Sequence, residues 1–214
     1  YSQVAWESTS TAYLGYVDST NRRTQLVSYD VSNSPALRAG LSILPIAADG
    51  SKAPLSVGGK RYAWTAEKTK IPSEAKVRKG CDAARGAGSP CGIAIVGGAV
   101  SGNLTILDVD VREIYAPWCF HVEAEAPGLL SRLPRVRTPN GHHIYFRTAS
   151  PPQGNQKLAV IWHDGKRKTG IETRGEGGYV IAPGSPGTCH PSGISYEYED
   201  GSIPVTATPA ITDA

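Results

Sequence analysis

Leu104-Thr105-Ile106-Leu107-Asp108-Val109-Asp110 reads as a buried strand that ends in two carboxylates. Side chains at i and i+2 share one face of a strand and stand about 6.5–7 Å apart along it. Carboxylates so placed can share one divalent ion or bracket two ions about 3.5–4 Å apart. Hard oxygen donors favour magnesium or manganese, with phosphate oxygens completing the shell. The pattern alone is not specific, because exposed strand ends and turns often carry Asp-x-Asp.

Working outward, residues 93–96 read as a second buried strand, separated from the first by Gly97-Gly98-Ala99-Val100-Ser101-Gly102-Asn103. Before it, the pattern predicts a short helix over 35–39 stopped at Gly40, then a strand over 41–46. Ser73 is a fair N-cap for a basic helix reaching about residue 84. Beyond Asp110 a helical region is expected over 117–132, broken at Pro127-Gly128. Strands are then expected over 135–137, 143–147, 158–162, 170–173 and 179–181. Strands interrupted by few helices predict a mixed α/β, or α+β, domain. At the polar N-terminus, residues 11–17 and 24–29 could pair as a hairpin across 18–21. The expected organisation is an N-terminal segment 1–34, a main domain 35–200 and a linker 201–214.

Two later segments also join β-prone chain to charged groups. In Gly141-His142-His143-Ile144-Tyr145-Phe146, alternation sends the two imidazoles to opposite faces, and the sequence does not say which one faces a site. The preceding Thr138-Pro139-Asn140-Gly141 turn offers backbone N–H groups as an anion cradle. In Ile171-Glu172-Thr173-Arg174, a carboxylate and a guanidinium share a face, which suits a metal beside a phosphate, or equally a surface ion pair. Gly175, Gly177 and Gly178 follow, so backbone there can approach a ligand closely. Further basic candidates are Lys52, Arg147, Lys157, Lys166, Arg167 and Lys168, and Trp64, Trp162, Tyr145 and Tyr179 could stack on bases.

The net charge of +3 hides an uneven distribution. Residues 52–85 carry nine basic and three acidic side chains, residues 132–174 nine and two, and residues 86–131 one and five. Basic surface flanking an acidic centre suits metal ions held together with polyphosphate. Cys81, Cys91, Cys119 and Cys189 form no Cys-x-x-Cys pair, so the spacing does not favour zinc. No apolar run is long enough for a transmembrane helix, and no partner membrane is expected. With no basic start leading into an apolar signal segment, reduced thiols and a cytoplasmic location are expected. The chain opens at Tyr1 and contains no methionine, so it is expected to be part of a longer protein.

The ordered series Gly92-Ile93-Ala94-Ile95-Val96-Gly97-Gly98, Ile106-Leu107-Asp108-Val109-Asp110, Arg137-Thr138-Pro139-Asn140-Gly141-His142-His143 and Ile171-Glu172-Thr173-Arg174-Gly175-Glu176-Gly177-Gly178-Tyr179 resembles the primase-polymerase (Prim-Pol) domain of the archaeo-eukaryotic primase superfamily. The resemblance runs from about Pro35 to Tyr198 and includes Lys52. It implies an RRM-like sheet with an added N-terminal α/β layer, surrounding a two-metal site for nucleotidyl transfer. Asp108, Asp110 and Glu172 match the family's catalytic, metal-binding carboxylates, Glu172 standing where the family often has Asp. His143, Gly141, Asn140, Arg174 and Lys52 match its nucleotide-binding positions, and the choice between His142 and His143 stays open. The implied cofactors are two Mg²⁺ or Mn²⁺ ions, and the partners are a single-stranded DNA template, a primer and dNTPs or NTPs. A downstream helicase region and a phage or plasmid origin in a bacterial or archaeal host are family expectations.

The same three carboxylates would also serve a metal-dependent nuclease. A rolling-circle endonuclease fits less well, since its metal-binding histidines are separated by an apolar residue and His142 and His143 are adjacent. A catalytically silent nucleic-acid or nucleotide-binding module is the alternative of another class.

Overall fold

The computed structural model describes residues 11–17, 24–30, 34–57, 59–86 and 91–211. The N-terminal hairpin forms from β1 (Thr11–Val17) and β2 (Thr24–Asp30), antiparallel with Val17 opposite Thr24. The turn expected at 18–21 lies outside the described residues. Ser34 caps α1 (Pro35–Arg38), its hydroxyl accepting from the Leu37 N–H, and Pro35 supplies a helical φ at the first position. Gly40, at φ 73°, turns the chain out of that helix into β3 (Ile43–Ala47). A small hairpin follows, β4 (Ser56–Val57) with β5 (Lys60–Arg61). Next comes the basic helix α2 (Glu74–Gly86), whose Val77, Cys81 and Ala84 sit one helical turn apart and are buried.

β6 (Cys91–Val96) pairs antiparallel with β3 on one side and with β12 (Tyr179–Ile181) on the other. The larger sheet is built round β7 (Leu104–Val109), every residue of which is buried. α3 (Tyr115–Glu125) follows, with Pro117 in its first turn, where a missing N–H costs nothing. It ends earlier than residue 132; a separate 3₁₀ turn, Leu130–Arg132, comes after Pro127-Gly128. β8 (Arg135–Arg137), β9 (His142–Arg147), β10 (Gln156–His163), β11 (Lys166–Arg174) and β13 (Glu197–Tyr198) complete the sheet, in the order β10-β11-β7-β9-β8-β13. All its neighbours are antiparallel, giving the mixed α/β class with few helices.

The alternation along β7 divides the core. Ile106, with Tyr145 of β9, belongs to one apolar cluster with Leu44, Ile46, Ala94 and Ile95 of the smaller sheet and Val77 and Cys81 of α2. Leu107 and Val109, with Ile144, pack on the other side with Ile114, Tyr115 and Trp118. Asp108 therefore shares a face with Ile106 and Tyr145, toward the smaller sheet. Residues after Asp200, read as linker from their Pro and Thr content, lie against the domain as far as Ile211. Val205 is in the core, and beside Ala210 the Arg147 N–H donates to the Pro209 carbonyl while the Arg147 carbonyl accepts from the Ile211 N–H.

Candidate active site

Strand register brings the three sequence segments into one row across the large sheet. Lys157 lies opposite Glu172, Glu172 opposite Asp108, Asp108 opposite His143, and His143 opposite Val136. Residues directly opposite one another point to the same face, so the row presents an amine, two carboxylates and an imidazole side by side. Asp110, just past the end of β7, donates its N–H to the Gly170 carbonyl (2.9 Å). One oxygen from each of Asp108, Asp110 and Glu172 falls within 4.8 Å of the others.

Arg174 sits among these acids. Its Nε and Nη2 both donate to Asp108 Oδ2 at 3.2 Å, and Nη2 also pairs with Glu172. His143 Nε2 is 3.5 Å from Asp108 Oδ1, and its Nδ1 faces the Tyr145 hydroxyl at 3.5 Å. Burial pushes the Asp108 carboxyl up, but His143 and Arg174 outweigh it and hold the group below its ordinary value. Asp110 and Glu172 are both pushed up, first by burial; the Asp108 charge adds to each, and Arg174 offsets part of the effect. Crowded acids with raised pKa values and only oxygen donors fit a hard divalent cation, which would relieve their repulsion.

Asp108 and His143 of this row border a cleft of about 430 Å³. Asp108, Asp110, His143 and Arg174 line it, while Glu172 joins the carboxylate trio from the neighbouring strand. Lys52 and Lys68 line it too, so that with Arg174 three cations face the cleft. Lys52 adopts a left-handed backbone (φ 57°), and its carbonyl accepts from the Tyr179 hydroxyl at 3.1 Å. Asn140 lines the cleft from the turn before β9.

The structure separates the two histidines. His143 lines the cleft, stacked against Tyr196 with ring centroids 5.8 Å apart. His142 points to the opposite face, where it stacks on Tyr115 at 3.5 Å and its Nε2 approaches Glu199 at 3.3 Å. Burial, then Arg112 and Arg137, push the His142 imidazole down to about 4.

Other sequence candidates have different surroundings from those expected. Gly141 does not border the cleft; its N–H already donates to Thr138 Oγ1 at 2.9 Å. A Cβ there would come within 1.8 Å of the Val109 carbonyl, so this glycine lets the turn pass close to β7. The glycines after Arg174 are needed by protein neighbours as well. A Cβ on Gly175 would reach the Gln153 carbonyl at 1.9 Å, and one on Gly178 the Asn155 side chain at 2.4 Å. There the chain crosses from β11 in the large sheet to β12 in the small one. Tyr145 is fully buried core rather than a stacking platform. Arg147 holds the carbonyls of Ser101 and Thr208 at 2.8 and 3.2 Å.

Lys68, His190 and Tyr196 line the cleft without having been singled out from the sequence. Lys68 carried a partial signal: it lies within the basic run 52–85, four residues after Trp64, over whose ring its amine sits at 4.4 Å. Tyr196 lies in an irregular segment between two short elements, with no periodicity to mark it. No helix is long and apolar enough to cross a membrane among the described residues.

Comparison with known families gives a match over most of the chain. The family model described as bifunctional DNA primase/polymerase, N-terminal, matches residues 34–211, which holds the six-stranded and three-stranded sheets and every residue of the cleft. No curated protein matches the chain. The carboxylate trio, the cationic cleft and a family match over most of the sequence lead to one assignment: the chain belongs to the Prim-Pol family of bifunctional DNA primase/polymerase N-terminal domains.

Proposed function

We propose that this domain joins (d)NTPs to a 3′-hydroxyl on a DNA template, with Asp108, Asp110 and Glu172 as the catalytic metal ligands. The observation that carries this reading is the convergence of those carboxylates within 4.8 Å on a cleft that also presents Lys52, Lys68 and Arg174. When bound, Mg²⁺ or Mn²⁺ supplies the Lewis acidity that activates the 3′-hydroxyl and balances charge on the leaving pyrophosphate. The side chains supply the rest. Asp108, fixed by strand pairing on both sides, aims its carboxylate with little freedom to reorient. Lys52, Lys68 and Arg174 hold the triphosphate against the carboxylates, and Asn140 borders the same space. Tyr196 backs the His143 ring, so His143 meets the phosphates in a fixed orientation. Trp64 and Tyr179, packed edge to face at 5.1 Å, form an aromatic wall beside the cations. The basic segments follow the DNA backbone, and binding weakens steeply with salt.

The test is incubation of the protein with a labelled primer annealed to a longer template, dNTPs and Mn²⁺ or Mg²⁺. Extension of the primer is expected. Shortening of either strand without extension would overturn the proposal and favour phosphodiester hydrolysis at the same trio. Calorimetric titration with Mn²⁺ checks the ligand set independently of turnover.

A further inference from the structure

The hairpin β10–β11 carries large apolar side chains that no other described part of the fold covers. Trp162 is 75 % exposed, Leu158 57 % and Val160 47 %. They alternate with Ala159, Ile161 and His163, which are partly buried. The buried side is identified by Gly170: a Cβ on it would meet Ile161 at 3.4 Å and Ile114 at 2.9 Å. Ile114 packs with Leu107 and Val109, behind the sheet as seen from the cleft. Val160 and Trp162 pair in unbroken register with Thr169 and Arg167, so both point to the other side, the side of Asp108 and Glu172.

The same hairpin is strongly basic. Lys157, Lys166 and Arg167 are exposed, and the Lys168 amine reaches back to the Asp110 carbonyl at 3.0 Å. Against these stand Asp164 at the turn and Glu172 in the carboxylate trio. Lys157 lies in the catalytic row, and Trp162 is five residues further along the strand, about 17 Å away at the rise of a β-strand. Arg167, opposite Trp162, shares its face, whereas Lys166 and Lys168, opposite His163 and Ile161, take the other; the catalytic face therefore runs outward from Lys157 as a strip that ends in Arg167 and an exposed indole.

The geometry points to this strip as a platform for single-stranded DNA, on which Trp162 stacks a base of the strand outside the cleft while Lys157 and Arg167 hold its phosphates. The inference rests on the nucleotidyl-transfer reading for the identity of the strand. An exposed aromatic beside a basic groove is the combination that binds unpaired bases without regard to sequence, since every base has a π-face. A duplex offers no free base face, so the platform selects the unpaired strand.

The experiment compares wild type, Trp162→Ala, Trp162→Leu and Trp162→Phe by fluorescence anisotropy with a labelled single-stranded oligonucleotide and with a duplex of the same length. Trp162→Ala and Trp162→Leu are expected to weaken single-strand binding about ten-fold, with Trp162→Phe close to wild type and duplex binding unchanged. Incorporation at saturating primer-template is expected to be the same in all four. Lys157→Ala with Arg167→Ala is expected to flatten the dependence of log affinity on log salt by about 1.4. Wild-type affinity in Trp162→Ala, or in Trp162→Leu, would overturn the platform, as would absence of single-strand binding by the wild type. If the wild type incorporates no nucleotide while Trp162→Ala still loses single-strand binding, the polymerase reading fails and the platform stands.

Discussion

Arg174 and Asp108 are joined by two hydrogen bonds to one oxygen, Nε and Nη2 each 3.2 Å from Oδ2. Strand register sets this pair, because Arg174 lies two residues along β11 from Glu172, on the same face, and Glu172 is opposite Asp108. The guanidinium is thus an internal counter-ion for carboxylates that otherwise repel one another. A divalent cation held by the trio would compete with it, and the guanidinium so displaced would be available to phosphate.

That competition gives a prediction with two opposite signs. Arg174→Gln is expected to bind Mn²⁺ several-fold more tightly in calorimetric titration without nucleotide. It is also expected to incorporate nucleotide roughly 100-fold more slowly, about the loss of one strong charge-assisted contact in the transition state. Weaker Mn²⁺ binding in this variant would contradict the counter-ion role.

In the proposed reaction the cations of the cleft rim act on substrate binding. Lys68→Ala is expected to raise the KM for dNTP roughly ten-fold, with kcat falling less, as loss of a charge-assisted hydrogen bond predicts. Steady-state kinetics on a fixed primer-template measure both. An unchanged KM would place Lys68 outside the triphosphate path.

Gly141 is required by shape. Gly141→Ala places a methyl group against the Val109 carbonyl and is expected to destabilise the domain by about 2–3 kcal/mol. For a chain of this size that lowers the melting temperature by roughly 5–10 °C, as read by circular dichroism. A wild-type melting temperature would show that the turn relaxes freely.

His142 links stability to pH. Its folded pKa lies near 4, below the ordinary histidine value, so the unfolded chain binds the proton more tightly. Its neutral form supports folding fully above about pH 6.5, and that support declines as pH falls toward 4. His142→Gln is expected to lose less stability than wild type over that interval in urea titrations. Parallel curves for the two proteins would show that this imidazole does not drive the acid sensitivity.

Much of the site was legible because strand periodicity is simple. Asp108 and Asp110 end a continuous apolar run, and Glu172 and Arg174 keep i, i+2 spacing before a glycine segment. The same periodicity put His142 and His143 on opposite faces, but only pairing with β7 shows which face holds the acids. The hairpin β10–β11 proved longer than its apolar residues suggested, since Lys166 to Thr169 is polar yet fully paired. Asp164-Gly165 was an available signal, both residues having positive φ as a tight hairpin turn needs. Gly177 and Gly178 line the cleft next to Arg174, while Gly175 and Gly178 also make room for Gln153 and Asn155 of another strand connection, a packing demand that local sequence does not reveal. Tyr196 and Lys68 enter the cleft through long-range packing, which local sequence does not encode.

The central claim is that Asp108 and Asp110 hold the metal that carries nucleotidyl transfer. Single-turnover primer extension by Asp108→Asn with Asp110→Asn, beside the wild type and at DNA concentrations shown by anisotropy to saturate both, tests it most directly. The account predicts extension by the wild type and a rate at least roughly 1,000-fold lower in the variant, about 4 kcal/mol of lost transition-state stabilisation, with DNA binding retained. Extension by the double variant at the wild-type rate would contradict it.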